Sequence, residues 1–218
     1  MKRLIYTVNF GDYDYLLEPE VITPGWDYVV VTDKKDIDSK WTPYYFNENL
    51  PGWLLARKPK ILLNEFFPDY DISIFVDAMY RVNTDLNKLI ENKLSSYSDI
   101  ALPQHNERHC VYEEIEACFR CGKMSRDLAD KIISKYKYEG LQPKGGLTQC
   151  GFMIRSHHRK NLDEFNRLWY QETKFTTRDQ ISFMYICWKY NLISYNLFSV
   201  LELDNKIINI TSKRKCKQ

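Results

Sequence analysis

The 218-residue sequence contains no apolar run of membrane-spanning length, which takes about 20 consecutive residues. It has no strong charge of either sign: Lys and Arg number 31 against 29 Asp and Glu, a net charge of +2. That balance excludes the global electrostatic bias of a nucleic-acid binder. The patterns G-x-G-x-x-G, G-x-x-x-x-G-K-[ST] and G-x-S-x-G are all missing. Their absence argues against dinucleotide oxidoreductases, P-loop kinases and α/β-hydrolases. Met1 to Asn9 begins with positive charge, but its apolar stretch is too short for the core of a signal peptide. Together these absences predict a cytoplasmic protein.

A cysteine framework is also missing. Cys110, Cys118, Cys121, Cys150, Cys187 and Cys216 show no paired spacing, so reduced thiols, mostly in the core, are the default. Cys118-x-x-Cys121 follows His109 and Cys110, but no second C-x-x-C or H-x-x-x-H completes a zinc set. Aromatic residues, by contrast, are plentiful: 16 Tyr, 11 Phe and 5 Trp exclude a disordered chain. Most of the tyrosines read as half-exposed sheet residues, and some suit stacking against bases or sugar rings.

Short apolar runs that end on acids organise the chain. Residues 3–9, RLIYTVN, read as a first strand followed by turn residues. DYVVV, 27–31, reads as a second strand, leading to Asp33. Residues 41–46 form an outer strand, where Pro43 favours an edge. Pro51-Gly52 marks a turn, and Pro59 suits the first position of a helix carrying Ile61, Leu62, Glu65 and Phe66. The run 72–76 is the central strand, and it delivers Asp77 to the sheet edge. Thr84-Asp85 caps a helix with Leu86, Leu89 and Ile90.

Further strands are expected at 99–103, 150–155, 192–200 and 206–210. Further helices are expected in the second half of 104–119, from Ser125 to about Tyr138, over 161–172 and over 181–189, with a flexible loop at 141–149. The alternation predicts an α/β protein with a Rossmann-like sheet in one domain over 1–210, followed by a basic tail at 211–218. The tail, with Lys213, Arg214, Lys215 and Lys217, reads first as a frayed end and second as a peripheral contact with an anionic surface.

Ligands of open α/β sheets sit beyond the carboxyl ends of the strands. Asp33 and Asp77 project there, and Asp179 stands at a helix start. Asp33 is either a hydrogen-bond partner for a ribose hydroxyl or base, or a turn cap. Asp77 is either a divalent-metal ligand or the cap of the following turn. Arg57, Lys58 and Lys60 supply charge for a pyrophosphate, or form a solvated helix start, which is the stronger reading of the cluster alone. Residues 105–116 concentrate His105, Glu107, Arg108, His109, Glu113, Glu114 and Glu116 after a buried strand; spacing does not choose between Glu113 and Glu114. An acid at Asp179 is already favoured by the helix dipole.

Taken together, PKILLNEFFPDYDISIFVDAMYRVNTDL, ALPQHNERHCVYEEIEA, EGLQPK and FNRLWYQETKFTTRDQISF resemble the glycosyltransferase-like domain family of plant mucilage and cell-wall proteins, with bacterial and viral members. The resemblance covers roughly residues 55–190, and RDQISF is its most distinctive piece. The matching positions include Lys60, Phe67, Pro68, Asp77, His105, Arg108, Glu114, Glu116, Gly140, Leu141, Gly151, Trp169, Glu172, Arg178, Asp179 and Gln180.

The resemblance implies a GT-A-type fold, a mixed central sheet flanked by helices, distantly similar to glycogenin-like retaining transferases. In those, a D-x-D strand end binds manganese and the donor diphosphate. Cys150 to Ile154 and Asp179-Gln180 resemble two later features of that group. Here Asp77-Ala78-Met79 keeps the first acid and has methionine, a poor ligand for Mg²⁺ or Mn²⁺, in place of the second.

The implied activity is transfer of a sugar from a nucleotide-sugar donor, foremost a UDP-sugar, to a glycan or other hydroxyl acceptor. The donor site would comprise Tyr6, Thr7, Asn9 and Asp33 at the nucleoside, and Arg57 or Lys60 at the diphosphate. Mn²⁺ or Mg²⁺ would sit on Asp77. Asp179 would bind or activate a sugar hydroxyl, with Gln180, His105, Arg108 and Glu114 beside it. Two rival readings are a catalytically inactive glycan-binding or scaffold domain, and a hydrolase pairing Asp77 with Glu114.

Overall fold

The computed structural model describes residues 1–11, 14–93, 98–204 and 206–209, so the expected basic tail lies outside the described residues. Its elements are β1 (Arg3–Asn9), β2 (Asp27–Thr32), β3 (Thr42–Tyr45), α1 (Gly52–Ile61), α2 (Leu63–Phe66), β4 (Ile72–Val76), β5 (Tyr80–Val82), α3 (Asn87–Lys93) and β6 (Ile100–Pro103). The chain continues through α4 (Val111–Arg120), α5 (Arg126–Glu139), β7 (Phe152–Ser156), α6 (Leu162–Thr176), α7 (Asp179–Tyr190), β8 (Tyr195–Phe198), a 3₁₀ turn at Val200–Leu203, and β9 (Ile207–Asn209).

Seven strands form one twisted sheet in the order β3-β2-β1-β4-β7-β6-β8. Neighbours are parallel except at β7, which runs antiparallel to both β4 and β6. The sheet is therefore mixed. Apolar cores cover both faces, which explains why β1, β2 and β4 read as near-continuous hydrophobic runs. Helices α1, α4, α5, α6 and α7 contribute to one core, and α3, Trp26, Trp41 and Leu203 to the other. Pro43 does lie in an edge strand, where its missing N–H leaves no gap inside the sheet.

Strand parity decides what reaches the larger helical layer. Leu4 pairs with Ser73 and Tyr6 with Phe75; Ser73 pairs with Arg155 and Phe75 with Met153. These side chains share one face, while Ile74, Val76 and Ile154 take the other. Two residues beyond Phe75, Asp77 continues the helix-facing set.

Several boundaries differ from expectation. The first helix begins seven residues before Pro59, and Pro51-Gly52 opens it instead of forming an isolated turn: the Pro51 carbonyl accepts from the amides of Leu54 and Leu55. Leu54, Leu55 and Ile61 bury one face, and this burial outweighs the backbone hydrogen bond that Pro59 cannot donate. The helix is interrupted at Leu62 (φ −84°, ψ 48°) before α2 resumes.

The 141–149 segment is anchored at its second half. Leu147 and Thr148 are fully buried, the Thr148 hydroxyl donates to the Pro103 carbonyl at 3.1 Å, and Gln104 bridges Thr148. The segment after Asp77 includes a short strand, β5, which pairs with β9 in a separate two-stranded sheet.

Candidate active site

A cavity of about 790 Å³ opens at the carboxyl ends of β1 and β4. β1 and the residue after it contribute Val8, Asn9 and Phe10; β4 contributes Phe75 and the Asp77 that follows it. Helix α1 lines one wall with Trp53, Ala56, Arg57 and Lys60. Trp53, Arg57 and Lys60 stand at i, i+4 and i+7, one face of a helix. The start of α7 supplies Arg178, Asp179 and Gln180, and the turn between α4 and α5 supplies Lys123 and Met124. Cys150 and Gly151 close the floor just before β7.

The chain reaches this arrangement through specific local contacts. The Asp77 amide donates to the Gly151 carbonyl at 2.8 Å, and the Asp77 carbonyl accepts from the Tyr80 amide, also at 2.8 Å. Gly151 is needed for space: a Cβ there would lie 2.7 Å from the Tyr80 hydroxyl and 3.0 Å from its ring carbon. At the other wall, the Trp169 indole N–H donates to the Asp179 carbonyl at 3.0 Å, so buried Trp169 fixes the first turn of α7. Gln180 donates to the Thr148 carbonyl at 3.2 Å.

Charge is concentrated around the two carboxylates. The Lys60 ammonium pairs with Asp179, the Arg57 Nε lies 3.8 Å from the same carboxylate, and Lys60 also sits 4.7 Å from the Phe75 ring centroid. Burial opposes ionisation of Asp179, but Lys60, Arg57 and Arg178 outweigh it and hold the carboxyl well below the usual range. Asp77 goes the other way. Burial raises its pKa, Lys60 lowers it and the neighbouring Asp179 raises it again. The two acids and the lysine therefore act on one another, and the environment pushes the acids apart. Asp179 is thus held toward its ionised form and Asp77 is shifted toward its protonated form.

Six of the residues assigned to the site from the sequence meet in this cavity, Asn9, Arg57, Lys60, Asp77, Asp179 and Gln180, together with Gly151 and Arg178 of the family-matched positions. Others take different places. Tyr6 is fully buried beneath α1, its hydroxyl donating to the Lys60 carbonyl at 3.1 Å and contacting Arg155, and burial pushes its pKa up to about 12. Thr7 is fully buried on the opposite face of β1. Asp33 accepts the Gly11 amide with both oxygens at 3.1 Å, so it ties together the loops after β1 and β2.

His105, Arg108 and Glu114 form a compact cluster of their own. The Arg108 Nε donates to Glu114 at 2.5 Å, its Nη2 lies 2.7 Å from the His105 Nε2, and the His105 Nδ1 accepts the Glu107 and Arg108 amides at 3.1 and 3.2 Å. Glu114, not Glu113, is the buried acid. Burial first, and then Arg108, lower the His105 pKa. Cys118, one turn further along α4, donates to Glu114 at 3.4 Å. Burial raises the Cys118 thiol to about 11 while Arg178 lowers it, so Arg178 acts on this cluster and on Asp179 alike. Glu114 does not line the cavity; the carboxylates that share it with Asp77 are Asp179 and, from the loop after β1, Asp14.

Trp53 and Lys123 carry no site assignment from the sequence, and Cys150 and Arg178 enter there only through the resemblance. The i, i+4, i+7 spacing from Trp53 would have found the first. Lys123 lies in a turn with no periodic signal.

The donor set does not fit a resident divalent ion. Met79 replaces the second acid, Asp179 is engaged by Lys60 and Arg57, and the Lys60 charge also bears on Asp77. Among the described residues, no three His, Cys, Asp or Glu side chains converge as a metal site.

An open sheet with one reversed strand, a small second sheet and an acid beyond its central strand define a GT-A-like glycosyltransferase fold. Solved structures that share it include two glycosyltransferases. The bifunctional glycosyltransferase WbbM, in its apo form, matches with a TM-score of 0.57 at 11% identity, over 97% of this chain and 46% of that one. Apo mouse xyloside xylosyltransferase 1 matches with a TM-score of 0.52 at 10% identity, over 91% of this chain and 85% of that one.

The profile of the TOD1/MUCI70 glycosyltransferase-like domain matches residues 45–212, and the chain belongs to that family. A probable hexosyltransferase, MUCI70 of Arabidopsis thaliana, is 32% identical over 147 residues, 62% of this chain. The match spans 25% of that relative's length. Among the described residues, no helix is long and apolar enough to cross a membrane.

Proposed function

We propose that the protein is a glycosyltransferase that moves a sugar, foremost a hexose, from a nucleotide-sugar donor to a hydroxyl of a glycan or other acceptor. The observation that carries this reading is the cavity beyond β1 and β4, where Asp77 and Asp179 stand among Arg57, Lys60, Lys123 and Arg178. Glycosyl transfer releases negative charge on the diphosphate, so preorganised cations at that end lower the barrier.

In this reading the nucleoside lies over the end of β1, near Asn9, and the diphosphate faces α1 and the start of α7. The Asp179 carboxylate is held too acidic to be an effective base at neutral pH, and it serves by accepting hydrogen bonds from sugar hydroxyls. Gln180, whose side-chain nitrogen is tied to Thr148, keeps its carbonyl oxygen for the same task. The bond from the sugar C1 to the diphosphate oxygen breaks and its electron pair leaves with the diphosphate. The acceptor oxygen forms the new bond to C1, and its proton passes to the departing diphosphate. Trp53, partly exposed at the mouth, offers a ring face on which a sugar can stack. Arg108 and Glu114 act at one remove, by supporting the wall that carries Arg178.

Incubating the folded protein with UDP- and GDP-sugars, in EDTA and in manganese, and measuring donor hydrolysis tests this reading. Turnover of one donor supports it; neither hydrolysis nor binding of any donor rejects it. The alternative, a glycan-binding domain without catalysis, is favoured only by Met79. Donor turnover separates the two, because a domain that only binds glycan takes up its ligand and turns over no donor.

A further inference from the structure

We propose that the donor diphosphate is held and neutralised by side-chain cations alone, with Lys60 in the place of a divalent ion. The inference rests on the glycosyltransferase reading and concerns the same cavity. Its first support is position. Lys60 pairs with Asp179 and bears electrostatically on Asp77, so a fixed positive charge already links the two carboxylates. A dication on Asp77 would be repelled by that ammonium.

The second support is the ligand count. Divalent ions at phosphate sites are held by one or two carboxylates plus the phosphates. Here Asp179 is engaged by Lys60 and Arg57, Met79 stands where a further acid would be, and Asp14, the third acid of the lining, does not converge with the other two as a metal-holding set among the described residues. The more distant acid and imidazole, Glu114 and His105, are engaged by Arg108.

The third support is charge. The cavity lining contains Arg57, Lys60, Lys123 and Arg178 against Asp14, Asp77 and Asp179. The excess is cationic, and it increases whenever Asp77 takes up a proton, which its buried setting favours. Arginine and lysine both bind phosphate oxygens, arginine as a planar fork and lysine as a point charge. These four cations come from α1, the α4–α5 turn and the start of α7, so they meet a diphosphate from several sides.

The test is calorimetric titration of UDP and, separately, of inorganic pyrophosphate into the full chain, in EDTA and in manganese. The expected result is binding in EDTA, with affinity for UDP changed by less than about threefold by manganese, well under the tenfold that 1.4 kcal/mol represents. Lys123 is exposed, so Lys123→Gln leaves the fold intact, and it is expected to weaken pyrophosphate binding by about tenfold through loss of one charge-assisted contact. Arg178→Gln is expected to weaken it at least as much.

UDP binding that appears only with manganese overturns the inference and leaves the glycosyltransferase reading standing. Pyrophosphate binding in EDTA without UDP binding supports the inference and counts against a nucleotide donor. Binding of neither ligand in either buffer overturns both. Unchanged pyrophosphate affinity in the Lys123 and Arg178 variants also overturns the inference.

Discussion

Lys60, in the last turn of α1, and Asp179, the first residue of α7, form a buried ion pair across 119 positions of sequence. The pair joins the two helices that wall the cavity. Its stability value depends on what remains after a mutation. Lys60→Met leaves Asp179 buried with Arg57 and Arg178 still near, so the loss is expected at the low end of the about 3–5 kcal/mol typical of breaking a buried pair. Asp179→Asn leaves a buried ammonium and is expected to cost a similar amount. In urea unfolding, the double variant should be more stable than the sum of the two single losses predicts, because neither charge is then left alone. Additive losses would show that the pair contributes little.

Gly151 gives a second prediction. Its hydrogen places the Tyr80 ring against the strand end, and a methyl group there meets the Tyr80 hydroxyl at 2.7 Å. Gly151→Ala is expected to lower stability by about 1–3 kcal/mol, the usual range for overpacking. Combining it with Tyr80→Leu should recover part of that loss. Turnover should fall in the single variant, because Gly151 also accepts the Asp77 amide and a shift there moves the carboxylate.

The central strand and Asp77 were legible because a short apolar run that stops abruptly on an acid is the pattern of a buried strand emerging at the sheet edge. Asp179 was legible as a helix start, but not as the partner of Lys60. That pairing depends on α1 lying against α6 and β1, which no local signal encodes. The helix-start signal of Pro59 masks the face made by Trp53, Arg57 and Lys60, which the buried Leu54 and Leu55 place in one helix. The two readings of Asp33 separate only in three dimensions, where Gly11 comes to its carboxylate. His105, Arg108 and Glu114 are near one another in sequence as well as in space, and sequence proximity does not distinguish a cluster satisfied within itself from residues lining the cleft.

Glu172 shows how a residue that matches the family pattern can be structural. Its carboxylate accepts from the Lys135 ammonium at 2.8 and 2.6 Å and from the Tyr136 hydroxyl at 3.0 Å, and Tyr136 stacks on Tyr185 with 4.0 Å between ring centroids. None of these residues lines the cavity. Glu172→Gln is expected to destabilise by about 1.5–3 kcal/mol, the range for hydrogen bonds to a charged group. Turnover per folded molecule should be unchanged. A loss of turnover without a loss of stability would give Glu172 a role in the reaction.

The acid limit of stability is expected to depend on His157, which follows β7 and is 4% exposed. Burial first, then Arg155 and His158, lower its pKa to about 3, against 6.5 for the free side chain. The neutral ring is therefore the folded form. Above pH 6.5 neither the folded nor the unfolded chain protonates it, and the full stability is present. As pH falls below 6.5 the unfolded chain takes up a proton that the folded chain refuses, and stability falls by at most about 1.4 kcal/mol per pH unit until the folded pKa is reached. His157→Gln removes this titration. Urea midpoints measured between pH 7 and pH 5, where most carboxylates stay ionised, should fall more steeply for the natural protein than for the variant. Parallel slopes would mean that the His157 ring protonates as easily in the folded chain as in the unfolded one.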